Sequence, residues 1–115
     1  MTMTKTAPAD TAARLFHGLS DPTRLRILLA LLDGEQRVSD LVAEVGGSQS
    51  NVSGHLACLK DCGLLVDRPG DRRQVFYRIS TDAVAELLHA TEKVLAATGP
   101  AIELCRNPSM GGRRR

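Results

Sequence analysis

The sequence predicts a mainly α-helical single domain carrying one β-hairpin, in the order α-α-α-α-β-β-α. Three observations carry that prediction. Apolar residues recur at three- and four-residue spacing from Ala12 to Leu59 and again from Val84 to Leu95. Between these stretches, two short β-prone runs flank a Pro-Gly turn. A chain of 115 residues can also bury a real core, but it cannot house two domains. We assign residues 11–98 to the domain, residues 1–10 to a flexible N-terminal arm and residues 99–115 to a tail that carries Cys105.

The first helix is read from Ala12, Ala13, Leu15, Phe16 and Leu19, which share one helical face, and Ser20 closes it. Asp21-Pro22-Thr23 supplies an N-cap followed by proline at the first helical position, where a missing N–H costs nothing. Leu25, Leu28, Leu29 and Leu32 then define a second, mostly buried helix that Asp33-Gly34 ends. Ser39-Asp40 opens a short third helix with Leu41, Val42 and Val45 apolar, and Gly46-Gly47 breaks it. Ser48 caps a fourth helix that Gly63 stops, with Val52, Leu56 and Leu59 inward and Gln49, Ser50, Ser53, Gly54 and His55 outward.

Two short helices joined by a tight glycine turn, the second with a small, polar, uncharged outer face, are what a helix-turn-helix needs. The outer face must enter a groove about 12 Å wide, which favours small side chains near the helix start. Leu64-Leu65-Val66 and Val75 to Ile79 then form a hairpin around Pro69-Gly70-Asp71-Arg72-Arg73, a wing with two cations at its tip. Ser80, Thr81 and Asp82 cap a last amphipathic helix with Val84, Leu87, Leu88, Val94 and Leu95 apolar, which Thr98-Gly99-Pro100 is expected to end.

Composition bounds the function. The formal charge is +2, yet four of the fifteen cations lie at Arg106 and Arg113 to Arg115, leaving eleven against thirteen acidic groups and a net −2 before them. Charge alone therefore does not announce a nucleic-acid binder. No apolar run approaches the roughly 20 residues that span a bilayer, and the polar N-terminus has no secretory pattern, so a cytoplasmic, reducing setting and no membrane partner are expected. An odd count of three cysteines argues against a disulfide framework.

Particular strings sharpen the reading. Leu19-Ser20-Asp21-Pro22-Thr23-Arg24-Leu25-Arg26-Ile27-Leu28, Gln49-Ser50-Asn51-Val52-Ser53-Gly54-His55-Leu56, Leu59 to Leu65 and Arg72 to Arg78 occur in that order. Together they resemble the motifs of the ArsR/SmtB family of winged-helix repressors, over about Leu15 to Ala97. The resemblance implies a winged helix-turn-helix, a homodimer built through the first and last helices, double-stranded operator DNA read in successive major grooves, and release when an effector binds. Physics agrees in part. A single winged helix with a −2 body binds DNA feebly, because affinity comes largely from phosphate neutralisation, and a symmetric dimer doubles the contacts. Ser48, Gln49, Ser50, Ser53 and His55 are the expected base or phosphate contacts, with a core contact as the alternative for His55, while Arg72 and Arg73 are expected to reach phosphate or the minor groove.

Cys58 and Cys62 stand four apart near the end of the fourth helix, which puts both thiols on one face about 5 to 6 Å apart at Cβ. Such a pair can share a metal, although two small buried hydrophobes are the commoner meaning of this spacing on a helix. Cys105 lies in a polar tail with little core to bury it, and Lys60 and Asp61 leave the pair partly exposed. The string Cys58 to Gly63 also resembles the cysteine pair of the cadmium- and lead-sensing CmtR type within the family, whose third thiolate comes from a C-terminal segment. Three thiolates favour Cd(II) or Pb(II), with As(III) as the alternative and Zn(II) disadvantaged unless a fourth ligand appears.

The family's CxC site is absent, because that stretch reads Glu35-Gln36-Arg37-Val38-Ser39-Asp40-Leu41. Asp82, His89 and Glu92 do not fall at the spacing of its last-helix zinc site and read as caps or surface groups. A thiol-redox sensor of the same family is the other alternative. No organic cofactor is expected. An enzyme is not expected either, since His55 and Cys58 stand three apart on one short helix with no third orienting group.

Overall fold

The computed structural model describes residues 6–103. Helix α1 (Thr6–Gly18) begins inside the stretch expected as an arm. Pro8 falls in its first turn, where amide donors have no intrahelical partner, so the proline does not oppose the helix. Asp21 caps α2 (Pro22–Leu31), its carboxylate accepting from the Arg24 amide at 3.0 Å. The buried residues of α2 are Ile27, Leu28, Ala30 and Leu31, whereas Leu29 is exposed. The expected stripe of Leu25, Leu28, Leu29 and Leu32 is thus rotated. Helix α2 packs against three later elements at once, and a central helix does not keep a single dry face.

A strand not read from the sequence follows, β1 (Gln36–Arg37), too short and too polar for alternation to reveal. It leads directly into α3 (Val38–Val45), which starts one residue before the expected Ser39-Asp40 opening. Asp40 reaches back from the third helical position to accept from the Arg37 amide at 3.2 Å and from the Arg37 guanidinium through Nε and Nη2, each at 3.2 Å. Gly46 and Gly47 then turn the chain with φ of 85° and 89°, left-handed values that disfavour any residue with a Cβ.

Ser48 caps α4 (Gln49–Asp61), its hydroxyl accepting from the Asn51 amide at 3.0 Å. The helix closes in a Schellman arrangement: the Leu64 amide donates to Leu59 O at 3.0 Å and the Gly63 amide to Lys60 O at 2.9 Å. Strands β2 (Leu65–Pro69) and β3 (Val75–Ile79) form the wing in antiparallel register, Leu65 opposite Ile79 and Pro69 opposite Val75. β1 pairs with the other edge of β3, Gln36 opposite Tyr77, giving the order β1-β3-β2. Arg68 ties this sheet together, donating to both carboxylate oxygens of Glu35 at 2.6 and 2.7 Å and lying 4.6 Å from the Phe76 ring centroid.

Thr81 Oγ1 accepts from the Val84 amide at 3.4 Å and starts α5 (Asp82–Glu103). This helix continues through the Gly99-Pro100 pair expected to end it. A proline there withholds one amide from the Ala96 carbonyl but leaves the turns before it bonded.

The core gathers Ile27, Leu28, Leu31, Leu41, Val52, Leu56, Leu59, Leu64, Leu65 and Leu88. Burying each such side chain stabilises by roughly 1.5–3 kcal/mol. α1 and α5 contribute little to this core, and they leave Phe16 57%, Val94 54% and Leu95 48% exposed. Among the described residues, no helix is long and apolar enough to cross a membrane.

Candidate functional site

The geometry is that of a winged helix-turn-helix. Val52, Leu56 and Leu59 anchor α4 to the core, and this fixes which residues it turns outward. Gln49, Ser50 and Gly54 are exposed, and Ser53 is half-buried. Ser48 is exposed too, but one lone pair of its hydroxyl serves as the cap, leaving its O–H free to donate. Asn51, which sequence reasoning passed over, is also exposed, with Oδ1 beside Gly47. Its place in the first turn of a capped helix was the signal that it belongs to the outer face.

His55 takes the inner of its two expected places. Its side chain is largely buried against α2, where Nδ1 accepts from Arg24 Nε at 3.1 Å and Nε2 lies 3.8 Å from the Asp21 carboxylate. Accepting at Nδ1 puts the neutral ring's proton on Nε2, facing Asp21. His55 therefore ties α4 to the start of α2. The separation of 31 residues between Arg24 and His55 gave the sequence no means of showing this pair.

The wing tip is a single 3-10 turn at Asp71–Arg73, closed by the Gln74 amide on Asp71 O at 3.1 Å and the Gly70 amide on Gln74 O at 2.7 Å. Arg72 and Arg73 have φ of 59° and 65°. Two consecutive non-glycine residues in the left-handed region carry strain of about 1–3 kcal/mol each, and such strain concentrates at functional sites. Both side chains are exposed.

The thiol pair lies at the opposite end of α4. Cys58 is half-buried and Cys62, the residue that closes the helix, is exposed, its amide donating to Cys58 O at 3.1 Å. Both are free thiols. Desolvation raises the Cys62 pKa first of all, the neighbouring Cys58 thiol raises it further, and the positive charge of Arg24 works against both. Arg24 also donates to Gly18 O at 3.3 Å, and a Cβ on Gly18 would stand 4.0 Å from Cys62 Sγ. The end of α1, the start of α2 and the foot of the recognition helix thus converge on this thiol.

Two soft donors one helical turn apart fit two positions of a thiophilic ion. The described residues contain no group of three His, Cys, Asp or Glu able to hold a metal, and Cys105 lies outside them. On α5, His89 and Glu92 are exposed and face each other at 3.6 Å.

Comparison with known proteins gives consistent results. Residues 21–66 match a family described as bacterial regulatory protein, arsR family. The chain is 39% identical to a protein of Streptomyces lividans described as a probable mercury resistance operon repressor, covering 91% of this chain and 84% of that one. It is 41% identical to the HTH-type transcriptional regulator CmtR of Mycobacterium tuberculosis, covering 80% of this chain and 88% of that one. The fold also superposes with a TM-score of 0.71, at 34% identity over 85% of this chain and 89% of the other, on the homodimeric winged helix-turn-helix DNA-binding domain of a possible ArsR-family regulator from Mycobacterium bovis.

Proposed function

Since the chain belongs to the ArsR family of bacterial regulatory proteins, we propose that it is a metal-responsive transcriptional repressor whose homodimer holds operator DNA until Cd(II) or Pb(II) is taken up by Cys58, Cys62 and Cys105. The observation that carries this reading is the free thiol pair at the foot of the recognition helix, one turn apart, with Cys62 Sγ close to Gly18 at the end of α1. The names of the relatives support the class, since one is described as a probable mercury resistance operon repressor and another as the HTH-type transcriptional regulator CmtR.

Two protomers present two copies of α4 to successive major grooves, with Gln49, Ser50 and Ser53 facing base edges and Ser48 and the wing arginines facing the backbone. The apolar residues that α1 and α5 leave exposed supply the dimer surface. Cys58 and Cys62 must lose their protons to bind a metal, and Arg24 favours the Cys62 thiolate. A bound soft ion supplies a thiolate crosslink between the foot of α4 and the segment that carries Cys105. The Arg24 bonds to His55 and Gly18 tie the middle of α4 to the end of α1, so strain entered in α4 reaches the dimer side of the protomer. A coupling of about 1–3 kcal/mol weakens operator binding about 5- to 150-fold, and DNA weakens metal binding by the same factor.

The test is operator binding with and without Cd(II), combined with ultraviolet charge-transfer absorbance. Wild type is expected to release DNA as the absorbance grows, and Cys58→Ser, Cys62→Ser and Cys105→Ser to hold it. Undiminished release in all three variants refutes the site. The Streptomyces relative favours Hg(II) as a second reading. Parallel titrations with Pb(II), Hg(II), As(III) and Zn(II), together with an oxidant arm, rank the effectors.

A further inference from the structure

Arg24 of α2 stands between two parts of α4. Its Nε donates to His55 Nδ1 at 3.1 Å and its Nη1 to Gly18 O at 3.3 Å, leaving Nη2 outside both bonds. His55, Cys58 and Cys62 follow one another at three and four residues, so they share one face of the helix, the face that meets Arg24. We propose that Arg24 carries the state of the thiol pair to the recognition helix: its guanidinium holds His55 while the thiols are protonated and turns toward them once they are thiolates. The inference rests on the reading of the chain as a repressor released by a soft ion, and adds to it the positioning residue through which release is transmitted.

Electrostatics supplies the first argument. Burial raises the Cys62 pKa and the charge of Arg24 lowers it, so this guanidinium already acts on the sulfur. A soft ion binds thiolates, not thiols. Three thiolates around a divalent ion leave one net negative charge, and the same three around As(III) leave none. Arg24 is half-buried, so water screens that charge only in part. Geometry supplies the second argument. His55 lies one turn beyond Asn51 and two turns before Cys62, so its bond to Arg24 fixes the rotation of α4 just beyond the outward-facing first turn. Asp21 holds the other side of the same contact, its carboxylate 3.8 Å from His55 Nε2 and accepting from the Arg24 amide at 3.0 Å. The Arg24 backbone is thereby held, and the motion left to the residue is in its side chain. A guanidinium drawn toward sulfur gives up His55 and can keep Gly18, since Gly18 and Cys62 Sγ are neighbours. DNA, which holds α4 in its bonded setting, opposes the same turn, as reciprocity demands.

The test measures operator binding by fluorescence anisotropy, with and without saturating Cd(II), for wild type, Arg24→Gln, Arg24→Lys and His55→Leu, and thermal melts check that each is folded. Wild type is expected to be released by a factor of about 5 to 150, and Arg24→Gln and His55→Leu by less than about 5. Arg24→Lys keeps the charge but loses the planar fork, and it is expected to lie between them. A contact that only holds the fold weakens DNA binding equally in both conditions. Unchanged release factors in folded variants therefore overturn the proposal, as does a lysine variant no better than the glutamine one. The second readout needs no variant. In wild type without DNA, the Arg24 Nε–H resonance is expected to exchange with water faster once Cd(II) is bound, and at its metal-free rate once ultraviolet absorbance shows As(III) bound. Exchange that Cd(II) leaves unchanged, or that As(III) speeds equally, overturns the proposal even where the variants do not fold, and leaves the repressor reading standing. Wild type that binds the operator and ignores Cd(II) overturns the effector reading itself, and this proposal with it.

Discussion

Gly70→Ala tests how the wing is packed. Gly70 has φ of −119°, ordinary extended backbone, so an alanine there meets no conformational penalty. Its Cβ, however, would stand 2.7 Å from Phe76 Cδ2 and closer still to Cε2. Carbon atoms prefer about 3.5 Å, so the ring must retreat by about 1 Å. That ring is half-buried and Arg68 lies over it, which limits where it can go. Overpacking of this kind costs about 1–3 kcal/mol, while replacing a glycine in extended backbone returns about 0.4–1 kcal/mol by restricting the unfolded chain. The clash wins, and a net loss of about 1–2 kcal/mol is expected in urea denaturation. The assay is a double-mutant cycle with Phe76→Leu: the paired variant is expected to be no less stable than Phe76→Leu alone. A Gly70→Ala protein as stable as wild type, or a cycle without coupling, refutes the reasoning.

Leu95→Asp places a charge on the exposed apolar side of α5, and sedimentation at micromolar protein is expected to show monomers that bind the operator at least 100-fold more weakly, because both half-sites are no longer held at once. A dimer of unchanged affinity would argue for another interface. Arg68 holds the Glu35 carboxyl below its ordinary range, chiefly through their hydrogen bonds. The unfolded chain therefore binds more protons than the folded one as the pH falls, and the stability contributed is present above the ordinary carboxylate range and lost as the pH drops through the folded value. Urea midpoints from about pH 7 to about pH 3 are expected to show Glu35→Gln below wild type at the upper end and equal to it at the lower. A gap that persists in acid contradicts this sign.

The elements that depend on local signals were legible. Asp21-Pro22 marked the start of α2, Gly46-Gly47 the turn and Ser48 the cap of α4, because each acts within a few residues of itself. The inward face of α4 was legible too, since Val52, Leu56 and Leu59 need just one neighbouring surface. Where several partners compete, the reading failed. α2 is enclosed on more than one side, so its buried set moved to Ile27, Leu28, Ala30 and Leu31. β1 is polar, two residues long, and exists because β3 offers it a free edge. The motif left His55 open between DNA and the core, and its burial depends on Arg24 and Asp21, 31 and 34 residues away. The thiol pair was visible as a spacing, but its contact with Gly18 was not.

The third strand has a consequence for how an operator is chosen. β1 is stitched to β3 and runs straight into α3, while Glu35 and Arg68 pin the other side of the hairpin, so the wing is tied at both edges to the segment that opens the helix-turn-helix. In a dimer a second quantity enters, the distance and angle between two identical wings and helices, as with the jaws of a caliper. On the proposed reading, operators differ in two separable respects: their letters, met by α4, and their gauge, met by the dimer. Inserting one base pair between half-sites disturbs the second while sparing the first.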